Sequence, residues 1–255
     1  MAFSPATRSL SAFRSLSVDR HVRPLPRLFI GLALYGFADA LIIRAAIGVD
    51  PWMAFTQGLS VLTGWGVGWL ANISGLLILL LWIPLRQRPG LGTLANILVV
   101  GTMIEVGLWL LPVPAAAGLW AQILFFTAGL LLLAVASGIY IGTGLGPGPR
   151  DGLITGIHSR LGWPIWLART VVEGTVLAIG WLLGGDVGVG TVVFAVLIGP
   201  LCGLTLPLFA GRRARALSDP ALIDTAPVGP APVGTAPVSP SSPPPSAPAS
   251  SRAPA

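Results

Sequence analysis

The stretch "GLGPGPRDGL", residues 144–153, interrupts a strongly apolar chain with alternating glycine and proline and then two adjacent opposite charges, Arg150 and Asp151. Glycine lets the backbone turn sharply and proline suits the first position of a helix, so the stretch reads as a tight turn into a helix that begins at Pro149. That helix would run over 149–161 and stop before Gly162. At about 20 Å it is too short to cross a hydrocarbon core of about 30 Å. A counterpart precedes it: "GVDPWMAF", residues 48–55, opens a second short apolar run over 51–63.

The surroundings of both pieces are those of a membrane protein. Of 255 residues 54% are hydrophobic and only 9% charged, with a mean hydropathy of +0.83, against about 25% charged residues in an ordinary soluble chain. Six further apolar segments are long enough to span a bilayer: 28–47, 67–85, 91–111, 118–141, 164–183 and 190–210. All fifteen basic residues are Arg. Without Lys, a Walker A phosphate loop and a Schiff-base lysine are both excluded. The single cysteine, Cys202, has no intrachain partner for a disulfide.

One constant offset relates the two short pieces and their flanks. Gly48 pairs with Gly146, 98 residues on, and the same step pairs Pro51 with Pro149, Gly58 with Gly156, Gly64-Trp65 with Gly162-Trp163, and Gly101 with Gly199. It also aligns Gly90-Leu91-Gly92-Thr93 with Gly188-Val189-Gly190-Thr191. Matches that include Pro, Trp and Thr point to an internal duplication. If the short pieces do not cross, each half has three spans, and the second half is inverted relative to the first. The N-terminal arginines, Arg86 with Arg88, Arg150 with Arg160, and Arg212, Arg213 and Arg215 then fall on one side, which the positive-inside rule makes cytoplasmic.

The expected fold is therefore all-α and polytopic: six transmembrane helices plus two short re-entrant or interfacial helices, in two inverted repeats over 28–111 and 118–211. A basic cytoplasmic tail, 1–27, precedes them, and a Pro/Ala/Ser-rich tract, 218–255, follows that cannot bury a core. Both termini are placed in the cytoplasm.

The "G-x-G-x-x-P-R-D-G-L" pattern at 144–153, "GGDVGVGT" at 184–191 and "G-x-x-P-W" at 48–52 resemble the YczE/YyaS/YitT family of bacterial membrane proteins, most closely its YczE-like branch, over about residues 27–210. The resemblance implies a multi-span protein of the bacterial cytoplasmic membrane and brings no substrate with it.

Ionisable groups at membrane depth are costly and need a partner or water. Glu105 in the third span and Glu173 in the fifth are candidate proton or cation carriers; the alternatives are a hydrogen bond to a neighbouring helix for Glu105 and an i,i+4 ion pair with Arg169 for Glu173. Asp39 lies near the centre of the first span, whereas Arg44 reads as snorkelling to the headgroups. Asn72 and Asn96 read as interhelical hydrogen-bonding residues, and most of the nine Trp, Trp82 among them, as an interfacial belt. Trp52 is the exception, a candidate ligand contact beside Pro51. Arg150 and Asp151 read either as an anchor beside a helix-start acid or as part of a site where two helix N-termini face an anionic group.

No hydrolase, redox or cofactor fingerprint occurs, so no enzyme activity, cofactor or metal is expected. The expected partners are the lipid bilayer and a small molecule or ion, with no nucleic acid, and no oligomeric state follows from the sequence. The leading expectation is a small permease-like carrier using Asp39, Trp52, Glu105, Arg150, Asp151 and Glu173, in which neutralising Glu105 or Glu173 abolishes function. The other is a membrane scaffold or regulator that assists another protein.

Overall fold

Proline, glycine and the capping residues set the helix boundaries in the computed structural model, which describes residues 24–112 and 118–209. Eight helices occupy them: α1 Leu25–Ala45, α2 Pro51–Thr63, α3 Val67–Leu85, α4 Leu91–Leu110, α5 Leu119–Ile141, α6 Pro149–Leu161, α7 Ile165–Leu182 and α8 Val189–Phe209. No strand occurs among the described residues. Six of the eight are long and apolar enough to cross a membrane, and α2 and α6 are the two that are not. The basic stretch before residue 24, Arg212, Arg213, Arg215 and the Pro/Ala/Ser tract lie outside the described residues.

The two short helices have the bounds expected from their prolines. Each begins with Pro at its first position and ends at a left-handed glycine, Gly64 at φ 75° and Gly162 at φ 70°. Only glycine takes that conformation without cost. The turn that follows each is closed alike: the Ser60 hydroxyl donates to the Trp65 carbonyl, and His158 Nδ1 hydrogen-bonds the Trp163 carbonyl.

At the centre α1 packs along α5 and α4, and α5 along α8. The core there is drawn from Leu28, Leu32, Ile42, Ile104, Leu130 and Leu133. The short helices pack across the molecule, α2 on α7 and α6 on α3, as well as on the span that follows each, so the two halves interlock. Arg27 Nη2 donates to the Phe209 carbonyl at 2.6 Å, which brings the start of α1 and the end of α8 together. Arg44 Nη2 donates to the Leu108 carbonyl, which ties the end of α1 to the end of α4. Arg44 thus turns inward to a helix terminus with orphan carbonyls instead of reaching for headgroups.

The outer spans differ between the halves. α3 and α4 share a close seam at Gly68 and Gly101, where a side-chain carbon on Gly68 would collide with the Gly101 carbonyl and one on Gly101 with Asn72. α7 and α8 make no comparable seam, and a side-chain carbon on Gly199 would meet nothing within 4 Å.

Candidate functional site

Two chain reversals bring the heads of α2 and α6 together. Gly48 and Gly146, at φ 117° and 132°, make backbone turns that L side chains rarely adopt. Each lead-in is then clamped by the first turn of a span of the other half. The Gly92 amide donates to the Leu145 carbonyl at 3.0 Å, and the Gly190 amide to the Ile47 carbonyl at 2.7 Å. Thr93 and Thr191 fix those clamps by accepting from the Gly90 and Gly188 amides respectively, and Thr93 Oγ1 also donates to the Pro147 carbonyl at 2.8 Å. Asp186 adds a clamp to the first lead-in: its carboxylate accepts from the Gly48 amide, and its own amide donates to Gln57.

At the junction Asp50 caps α2. Its Oδ1 accepts from the amides of Trp52 at 3.0 Å and Met53 at 3.3 Å. The same oxygen accepts from Arg150 Nη1 at 3.3 Å. The Arg150 guanidinium also lies over the Trp52 ring, 5.3 Å from its centroid, a cation–π geometry. One carboxylate therefore serves the heads of both short helices, directly at α2 and through Arg150 at α6. The N-cap of α6 is Gly148, which has no side chain to cap with.

Around Gly148 lie the Tyr140 hydroxyl and Asp151 Oδ2, 3.2 and 3.5 Å from where a side-chain carbon would be. Burial pushes the Asp151 carboxyl above its ordinary range, opposed by Arg169, Arg150 and a hydrogen bond with Tyr140. Tyr140 meets Tyr35 of α1 edge to face, with ring centroids 5.9 Å apart. Beside Arg150 and Trp52 a cavity of about 40 Å³ runs between α2, α3 and α4, with Thr56, Asn72, Ser74 and Asn96 in its walls. It has room for roughly three waters and is far below the 300 Å³ or more typical of a drug-sized ligand site.

Of the residues singled out from sequence, Trp52, Arg150 and Asp151 meet at this junction, and Asp39 is within electrostatic range of Asp50 and Arg150. Asp39 is 1% exposed, and its Oδ2 has no hydrogen-bond partner. Glu105 is elsewhere: its Oε1 accepts from the Gly68 amide at 2.8 Å. Since the N-cap of α3 is Gly66, with no side chain to cap it, Glu105 supplies that cap from α4. Glu173 pairs with Arg169 at 2.9 Å on the outer part of α7. Asn72 Nδ2 bridges to Thr102 of α4 at 3.5 Å. Trp82 belongs to no belt; it is 2% exposed, and its indole donates to the Pro149 carbonyl at 3.1 Å. Asp50 is the residue that sequence reasoning passed over as part of a loop. An acid immediately before a helix-opening proline is an N-cap signal, and it was there to be read. Among the described residues no group of three or more His, Cys, Asp or Glu is placed to hold a metal ion.

Comparison with known proteins agrees with this architecture of apolar helices. The model of DUF6198, a family of unknown function, matches residues 22–207. The chain is 37% identical to an uncharacterized protein of Haemophilus influenzae over 183 residues, covering 72% of this chain and 83% of the relative. It is 34% identical to the uncharacterized membrane protein YczE of Bacillus subtilis over 181 residues, 70% of this chain and 83% of YczE. With YyaS of Bacillus subtilis it shares 29% over 183 residues, 70% of this chain and 90% of YyaS. No solved structure matches it. The chain belongs to the DUF6198 family and is a YczE- and YyaS-like membrane protein.

Proposed function

We propose that the protein is a small secondary permease of a bacterial cytoplasmic membrane, built from two inverted three-span repeats, that moves a small molecule or ion past the junction of α2 and α6. The observation that carries this reading is the meeting of the heads of two short helices at a shared pair, the buried Asp50 and the half-buried Arg150. Broken helices whose ends converge at membrane depth are how inverted-repeat carriers build a substrate site, and irregular backbone survives there only inside protein or beside water. The analogy is one of architecture, and the charged pair supplies its chemistry.

Several features support the inverted arrangement. Pro51–Thr63 and Pro149–Leu161 start and end at the one constant offset found in the sequence. The contact of Gly92 with Leu145 has its exchanged partner in that of Gly190 with Ile47. Such reciprocal pairs are what a two-fold axis between halves produces, and an odd number of spans per half turns the second upside down. The closed α3–α4 seam and the separated α7 and α8 fit a carrier shut on one side and open on the other. Arg160 Nε donates to the Leu85 carbonyl, beside Arg86, so the basic ends of α3 and α6 lie together on the side assigned to the cytoplasm.

Cysteine accessibility tests the arrangement. In a Cys202→Ser background, single cysteines at Leu62 and Leu161, both exposed at the tips of the short helices, are labelled with an impermeant thiol reagent in intact cells and in inside-out vesicles. Labelling of 62 only from outside and of 161 only from inside is expected. Labelling of both from one side would remove the basis of the carrier reading.

A further inference from the structure

We propose that Asp39 is the proton-binding site of the protein and that Arg150 changes partner between Asp50 and Asp39 as the proton arrives and leaves. The proposal rests on the carrier reading for its purpose and on the geometry around α1 for its substance.

Asp39 stands apart from the other described carboxylates. Asp50 holds two amides and Arg150, Glu105 the Gly68 amide, Asp186 the Gly48 amide, and Glu173 Arg169. Asp151 has a hydrogen bond with Tyr140. Asp39, between Ala38 and Ala40 that are wholly buried, leaves Oδ2 without a partner. An ionised carboxylate in that position is costly unless paired, because burial removes its water and nothing replaces it. A protonated carboxyl there carries no charge to solvate.

The ionisable groups within electrostatic range of it are Tyr35 on its own helix, Asp50 at the head of α2 and Arg150 of α6, with Tyr140 of α5 and Asp151 of α6 on the far side of Arg150 and Tyr35. The one ionisable residue of α4, Glu105, is turned to the head of α3. The only cation of the set is Arg150, and in the observed arrangement it is committed to Asp50 and the Trp52 face. The cavity beside Arg150 does not reach Asp39. At 1% exposure Asp39 has no room for an organic cation, so the ligand is the proton itself.

The exchange balances. When the Asp39 O–H bond breaks, the electron pair stays on the carboxylate and the guanidinium moves from Asp50 to Asp39. Because Arg150 is part of the wall of the cavity beside it, that movement opens the cavity toward Asp39, and water entering there takes the proton. Asp50 tolerates the loss because the Trp52 and Met53 amides and the positive end of α2 still stabilise its charge. Arg150 is the second residue of α6. Its movement therefore pulls the head of α6 away from that of α2, and a protonation event becomes a change at the junction.

Infrared spectroscopy of the full chain in phospholipid vesicles reads this directly, with the proton as the only ligand. At neutral pH the C=O band of a protonated carboxyl is expected, to be lost in Asp39→Asn and kept in Asp151→Asn. On alkalinisation the band should disappear together with a change in Trp52 emission, taken as the difference from Trp52→Phe, and that change should be absent in Asp39→Asn. Asparagine mimics the neutral acid and should fold; if it does not, Asp39→Ser, the residue at the equivalent position 137, replaces it. A neutral-pH spectrum without the band, or a band that survives the change at 39, overturns the proposal. Cysteine labelling decides the carrier reading separately, so failure of one is distinguishable from failure of the other.

Discussion

Asp50 has two jobs, and substitutions separate them. At 3.3 Å and an effective dielectric of about 20, the attraction between Asp50 and Arg150 is about 5 kcal/mol. Desolvation takes back much of it, and the Arg150 side chain is 30% exposed, which leaves a net coupling of roughly 2 kcal/mol. The cap on the Trp52 and Met53 amides adds about 1 kcal/mol. Asparagine caps as well as aspartate but cannot pair, so Asp50→Asn should cost about 2 kcal/mol and Asp50→Ala about 3 kcal/mol. In an Arg150→Gln background Asp50→Asn should cost close to nothing, because the charge it removes has already lost its partner. Reversible unfolding in mixed micelles, titrated with a denaturing detergent and followed by circular dichroism, measures all four corners of the cycle. Additive costs in the double mutant would refute the pairing, and equal costs for Asn and Ala would refute the cap.

Other outcomes follow from the same geometry. Glu105→Gln should fold and function normally, because an amide oxygen can still accept from the Gly68 amide, whereas Glu105→Ala should cost about 1 kcal/mol in the same unfolding assay. Glu173→Gln leaves Arg169 inside a span without its i,i+4 partner and should cost about 1 kcal/mol or more in that assay. Gly101→Ala drives a carbon into Asn72 and the Gly68 carbonyl and should destabilise by about 2 kcal/mol, while Gly199→Ala should be neutral or stabilising by about 0.5 kcal/mol; comparing their melting temperatures checks both. The folded Asp151 holds its proton more tightly than the unfolded chain does. Stability should therefore fall as pH rises from the ordinary aspartate range through the raised folded value, and Asp151→Asn should flatten that slope.

What the sequence made legible was local. Pro51 and Pro149 with Gly64 and Gly162 define the short helices by backbone chemistry alone, and the observed bounds agree with the sequence reading. Span ends differ by at most three residues for the same reason: length and apolarity need no knowledge of neighbours. Direction was not legible. Glu105 and Glu173 have depths that suit a carrier, but a span is apolar on nearly every face, so periodicity does not say which side meets protein. Glu105 faces the bare head of α3 and Glu173 its own Arg169. Arg44 and Trp82 went astray in the same way, since a position near a span end is compatible with headgroups and with a neighbouring carbonyl. Asp50 was missed because a loop residue was given less weight than charges inside spans, although its neighbour Pro51 marked it as a cap.

The indole of Trp82 fills the space over Gly152, where no side-chain carbon would fit. The equivalent place in the other half holds no large side chain: Gly180 lies against the backbone at Ala54 and Phe55. The two interlocks are therefore filled differently, one by an indole laid over a glycine and the other by close approach of a helix to backbone. A first half expressed alone would bring Trp82 against Ala54 of a second copy, where the glycine it needs is missing. The two halves are unlike where they interlock, and a split protein should assemble only when both pieces are made together.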